Sequence, residues 1–264
     1  MLRFMSFSSG SCGNCYYIGD GTRGLLIDAG VSMRSLKSNL ERNNLSFDSF
    51  DAILVTHDHL DHIRNLGTFC KKLMKPVYTT QTIHKALAVH SFTKDHISSC
   101  RRNLNEDGAT IINGIKVNHF VVPHDATQTV GYAIDFDGYK FVIMTDVGRM
   151  TDEAIQYASE AESVVIESNY DIDMLMRGPY PPELKMRIIQ GEGHLSNDEC
   201  AFAIRRFWHT DLKNIFLCHL SENNNTPQLA YKTSAAVLND MGVAGSVSLR
   251  CLPRQTPSEF FILR

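Results

Sequence analysis

Residues 57–62 read His57-Asp58-His59-Leu60-Asp61-His62, directly after the apolar run Ala52-Ile53-Leu54-Val55. An apolar run rich in β-branched residues reads as a buried strand, and the carboxyl end of such a strand is where ligand crevices form in layered α/β proteins. In extended backbone His57 and His59 project the same way and can grip one cation, while Asp58 and Leu60 face away. Asp61 and His62 open the following helix and can turn toward a second cation about 3.5–4 Å from the first, the spacing of two-metal hydrolytic sites. A lone histidine or aspartate here would read as a solvated loop, with Asp61 capping the helix. Packing three imidazoles together is unfavourable unless a cation or acids satisfy them, so the motif points to a dinuclear centre of Zn, Fe or Mn.

The elements that must hold such a centre follow from hydrophobic patterning. Strand-like runs at 51–56, 116–122, 129–135, 139–145, 163–167 and 214–219 alternate with helix-like runs at 33–42, 62–74, 152–158, 197–208 and 227–241. That alternation specifies an α/β protein with helices covering its sheets. With 264 residues, 43% of them hydrophobic, and no Pro, Gly or Ser-rich linker, the chain reads as one large domain over residues 1–264.

The pattern His57-x-His59-x-Asp61-His62 resembles the signature of the metallo-β-lactamase superfamily, and the match has no departure. The resemblance implies a four-layered αββα sandwich and three further ligands, each beyond a later strand. The chain offers His124 after Phe120-Val121-Val122, Asp146 after Phe141-Val142-Ile143-Met144, and His219 after Ile215-Phe216-Leu217. On this reading His57, His59 and His124 hold one divalent ion, Asp61, His62 and His219 hold a second, and Asp146 is shared. The expected nucleophile is a metal-bound hydroxide, with Asp61, Asp146 and His194 as the catalytic set. His194, between the last two ligand motifs, takes the proton donor's role known from related phosphodiesterase branches, where a plain loop histidine is the alternative.

Finer resemblance narrows the class. Ser8-Ser9-Gly10-Ser11-Cys12-Gly13-Asn14, Glu167-Ser168-Asn169-Tyr170-Asp171, Gly178-Pro179-Tyr180-Pro181, Gly193-His194-Leu195-Ser196-Asn197 and His219-Leu220-Ser221-Glu222-Asn223-Asn224 are similar to the signature blocks of the bacterial YycJ (VicX) subfamily. What this resemblance implies is a metal-dependent nuclease, of DNA 5′-exonuclease type. Hydrolysis of a small ester, thioester or cyclic phosphodiester on the same site is the rival activity, and a metal-binding module without turnover is the rival from outside the enzymes. Gly10 and Gly13 permit positive φ, so Ser11 and Asn14 in this turn are candidates to hold a substrate phosphate, against a plain hairpin turn. Further candidate substrate contacts are Asn169, Tyr180, Lys185, Arg187, Ser221 and Asn224.

A net charge of −3 carries no overall nucleic-acid footprint, so a DNA partner must be met by local patches. The segment from Arg177 to Arg187, with three cations and Tyr180, is the best candidate, although a proline-stiffened loop has the same composition. Seven cysteines, an odd number without framework spacing, fit reduced thiols. Cys12-Gly-Asn-Cys15 has redox spacing but reads as small residues in a turn. No run has transmembrane length and the first residues do not resemble a signal peptide, so the expectation is a cytoplasmic protein with no membrane partner.

Overall fold

The computed structural model describes residues 1–264. Its contacts divide the chain into two compact units, Met1–Val117 with Pro253–Arg264, and Asn118–Leu252. The first contains β1 (Arg3–Gly10), β2 (Gly13–Gly19), β3 (Gly24–Ile27), β4 (Ala52–Leu54), β5 (Val77–Thr79), β6 (Arg101–Asn103) and β7 (Thr110–Ile112), with α1 (Met33–Arg42), α2 (Leu60–Ile63), α3 (Leu66–Leu73), α4 (Gln81–Val89) and α5 (Ile97–Cys100). The second carries β9 (Thr129–Phe136), β10 (Tyr139–Met144), β11 (Ser163–Glu167), β12 (Asn214–Cys218) and β13 (Ser248–Cys251), with α6 (Asp152–Ala158), α7 (Ile172–Arg177), α8 (Pro182–Arg187), α9 (Asn197–Phe207) and α10 (Pro227–Asp240). Strand β8 (Ile115–Val122) starts in the first unit, where β7 pairs with it, and runs on into the second. A last short strand, β14 (Phe261–Ile262), returns to the first unit.

In the first unit the order β14-β1-β2-β3-β4-β5-β6 is antiparallel as far as β3 and parallel from β3 to β6. Parallel strands are covered on both faces, which is why β3 and β4 read Gly-Leu-Leu-Ile and Ala-Ile-Leu and are buried throughout. In the second unit β10, β11, β12 and β13 are parallel, with β9 antiparallel to β10. Apolar residues of β10, β11 and β12 pack with α6 and α9 through Val142, Val164, Ile215, Ile155, Ile204 and Phe207. The strands and helices expected from the sequence are present, with one correction. The single helix expected over 62–74 is two, because Asn65 donates its backbone N–H to Ala29 O at 3.0 Å and its side-chain N–H to Gly30 O at 3.3 Å. Those bonds hold Asn65 at φ −108°, ψ 2°, and α3 restarts from it.

The seven cysteines are all free thiols. No helix is long and apolar enough to cross a membrane.

Candidate metal centre

The first ligand cluster grows from the carboxyl ends of β3 and β4. The buried run of β4 continues through Val55 and Thr56 into His57, all wholly buried. Beside it Asp28, the first residue past β3, is also wholly buried and adopts the left-handed φ of 61°. That backbone turn, costly for a residue with a Cβ, brings its carboxylate onto the histidine turn. Asp28 Oδ1 accepts the Thr56 N–H at 2.9 Å, and Oδ2 accepts the Thr56 hydroxyl at 2.9 Å and His62 Nδ1 at 2.7 Å. Thr56 Oγ1 in turn meets His57 Nδ1 at 3.0 Å. The His57 ring lies 4.7 Å from that of His59 and 4.1 Å from that of His62, centroid to centroid. Asp61 Oδ2 is 3.4 Å from His62 Nε2. Gly30 is required here by close approach: a Cβ on it would fall 1.9 Å from Asp61 O and 2.4 Å from Asn14 N.

The second cluster forms at the carboxyl ends of β10, β11 and β12 and in the loop before α9, where Asp146, Glu167, His219 and His194 bring one donor atom each within 4.8 Å of one another. Its centre is Glu167, the wholly buried last residue of β11. Glu167 Oε1 accepts His194 Nδ1 at 2.8 Å and His219 Nδ1 at 2.9 Å. Glu167 Oε2 accepts the backbone N–H of Val147 at 2.8 Å and of Leu195 at 3.2 Å. One carboxylate therefore fixes two imidazoles and the loops that carry Asp146 and His194. Burial alone would raise its pKa, but the charge and hydrogen bond of His194 and the hydrogen bond of His219 outweigh burial and hold it below the ordinary carboxylate range. For His194 burial would lower the pKa, and the charge and hydrogen bond of Glu167 raise it overall. His194 keeps a side chain 24% exposed, whereas the His124 imidazole is 1% exposed. His124 donates Nδ1–H to Gly193 O at 2.6 Å, and burial pushes its pKa down. His219 has the left-handed φ of 51°, and its carbonyl accepts the Asn169 side-chain amide at 2.7 Å.

The sequence reading missed Asp28 and Glu167 as site residues. Each is a carboxylate at the end of an apolar strand run, Leu25-Leu26-Ile27 and Val164-Val165-Ile166, and that position was the available signal.

The side chains expected to contact substrate are placed as follows. Asn14 is wholly buried, and its amide lies on Asp61 Oδ2 at 3.0 Å, His62 Nε2 at 2.9 Å and Gly10 O at 3.1 Å. Asn169 is buried against His219 and Glu167, and Asn224 is buried beside Gly178. Lys185 donates Nζ to Met176 O at 2.7 Å and Gly178 O at 2.8 Å, so its cation closes the end of α7. Arg187, exposed, pairs with Asp125. Ser11 is exposed at the tip of the β1–β2 hairpin, and Ser221 Oγ accepts the Asn224 N–H at 3.2 Å. Tyr180 accepts a 3.3 Å hydrogen bond from Asn223.

Two clusters of histidine and carboxylate at strand ends, each with its rings braced from behind, define a metallohydrolase. The chain belongs to the beta-lactamase superfamily, whose domain model matches residues 23–214. Within that family it is similar to exodeoxyribonuclease YycJ of Bacillus anthracis, 34% identical over 242 residues covering 91% of this chain and 90% of that protein. It is equally similar to exodeoxyribonuclease WalJ of Streptococcus pneumoniae, 34% identical over 245 residues, 92% of this chain and 91% of that one. The chain is thus of the YycJ type that its signature blocks resemble. The crystal structure of zinc-bound PqqB from Methylobacterium extorquens has a TM-score of 0.70 at 14% identity, covering 97% of this chain and 99% of that one, which shows a shared fold. The fold class is the metallo-β-lactamase type of α/β sandwich expected from the sequence, and the protein is a metal-dependent hydrolase.

Proposed function

We propose that the chain is a DNA exonuclease of the cytoplasm, working from the 5′ end on a dinuclear centre. The observation that carries the metal reading is the bracing of the rings. In His57, His62, His124 and His219 the Nδ1 atom is engaged by Thr56, Asp28, Gly193 O and Glu167 respectively. Bonds of this kind fix the tautomer and leave Nε2 as the basic nitrogen, the arrangement that metal-binding histidines require. The donor set of imidazoles and carboxylates fits Zn, Mn or Fe. On the motif spacing, His57, His59 and His124 would hold one ion, Asp61, His62 and His219 the other, and Asp146 both. Two such ions, once bound, would make hydroxide available near neutral pH and neutralise charge on the phosphoryl oxygens.

The rest of the chemistry belongs to the chain. Glu167 turns His194 by its Nδ1 so that Nε2 is the nitrogen left for a substrate, and His194 would pass a proton from Nε2 to the leaving oxygen. The nucleic-acid substrate, and DNA in particular, is proposed from the similarity to the exodeoxyribonucleases. The metal reading is tested by Asp146→Ala, which removes the shared ligand. Elemental analysis is expected to find the variant folded with less than half the metal of the wild type. Full metal content in the variant would contradict the ligand assignment.

A further inference from the structure

A hydrogen-bonded line of buried polar groups runs from the N-terminal hairpin to the histidine turn within the first unit. Ser9 on β1 and Asn14 on β2 are paired across the hairpin, and Tyr16 follows two residues after Asn14 on the same face. Their pairing depends on a register shift between Ser6 and Ser8. Without it the pairing Ser6↔Tyr16 would continue to place Ser8 opposite Asn14, and Ser8 instead turns its hydroxyl away, to Arg254 O at 2.7 Å. All of Ser9, Asn14 and Tyr16 are wholly buried.

The donors run in one direction. Tyr16 Oη donates to Asn14 Oδ1 at 3.1 Å, so the 2.9 Å contact between Tyr16 Oη and Ser9 Oγ is one in which Ser9 donates. Gly10 O and the Asp61 carboxylate can only accept, so the amide of Asn14 presents its NH₂ to them and its Oδ1 to the Tyr16 hydroxyl. The opposite rotamer would set an amide oxygen against the Asp61 carboxylate. Asn14 Nδ2 lies 3.1 Å from Gly10 O, 3.0 Å from Asp61 Oδ2 and 2.9 Å from His62 Nε2, so one amide group touches both residues of the turn. His62 is already held by Asp28 at Nδ1.

We infer that Ser9, Tyr16 and Asn14 form a positioning relay that orients Asp61 and His62 for a divalent cation; the inference rests on the reading of those two residues as ligands. Asn14 acts on the ligands, and Tyr16 acts through Asn14 by holding its amide oxygen in place. Groups that orient ligands from behind set metal affinity, typically by 10–100-fold.

Zinc affinity of the metal-depleted protein, measured by competition with a chromophoric chelator, tests the relay without any substrate. Tyr16→Phe keeps the ring and removes the hydroxyl, and is expected to weaken the affinity of one zinc about tenfold; Asn14→Ala should weaken it by about 10–100-fold. Ser8→Ala, whose hydroxyl faces the other way, should bind as the wild type does. Thermal melts of the metal-free proteins separate loss of fold from loss of affinity, and Ser9→Ala is the milder third variant should Asn14→Ala not fold. A folded Tyr16→Phe with zinc affinity within twofold of wild type would overturn the relay. A wild-type protein that binds no zinc, manganese or iron would instead overturn the reading on which it rests.

Discussion

Glu167 Oε1 serves two imidazoles at once, and the two need not share one task. His219 is buried, 3% exposed, whereas His194 keeps 24% of its side chain open. A buried ring suits a ligand, and a ring with one braced nitrogen and one accessible edge suits proton transfer. His194→Ala is therefore expected to retain metal and fold while losing about 10²–10⁴ in rate on an ordinary phosphodiester. A p-nitrophenyl phosphodiester should lose much less, because p-nitrophenolate leaves without a proton and the missing donor matters little in that transition state. Single-turnover rates on both substrates decide the matter. Equal losses on the two would contradict proton donation, and loss of metal would make His194 a ligand.

The elements owe their precision to carboxylates and caps at their ends. Helix α9 begins immediately after the His194 loop with a reciprocal cap, in which Ser196 Oγ accepts the Glu199 N–H at 3.1 Å and the Glu199 carboxylate accepts the Ser196 N–H at 2.8 Å. The Ser196 hydroxyl also donates to the Glu199 carboxylate at 2.7 Å, so Ser196→Ala removes both hydroxyl bonds and leaves the backbone one; it is expected to cost about 1 kcal/mol, read as a lowered thermal midpoint, and an unchanged midpoint would show the cap to be dispensable. At this scale the sequence was legible where one periodicity dominated. The β4 run, the His57–His62 turn and the course of α9 follow from pattern alone. Strands β1 and β2 did not, because both faces are buried and their serines and asparagine hide the apolar Phe4, Met5, Phe7, Tyr16, Tyr17 and Ile18. The break between α2 and α3 was likewise illegible, since it is made by Asn65 bonding to residues thirty-five and more positions earlier.

Over the whole molecule the proposed ligands are divided between two compact units, with His57, His59, Asp61 and His62 in one and His124, Asp146 and His219 in the other. Sequence motifs named these seven as candidates; Asp28 and Glu167 carried only their strand-end position, and which side chains they hold is decided once distant strand ends are neighbours. Nor could the motifs show that Asn14 and Asn169 are buried against the histidine clusters. A net charge of −3 means that a polyanion must be met by local groups and by bound cations, so binding and turnover should depend on divalent metal together. The most direct measurement is digestion of 5′- and 3′-labelled single- and double-stranded DNA by metal-depleted protein given zinc, manganese or a chelator, beside a ribonucleotide strand of the same sequence. The account predicts stepwise release of nucleotides from the 5′ end of DNA, present with metal, abolished by chelator and absent in Asp146→Ala. Digestion that persists in chelator, or no cleavage of any strand with any metal while small esters are hydrolysed, would contradict it.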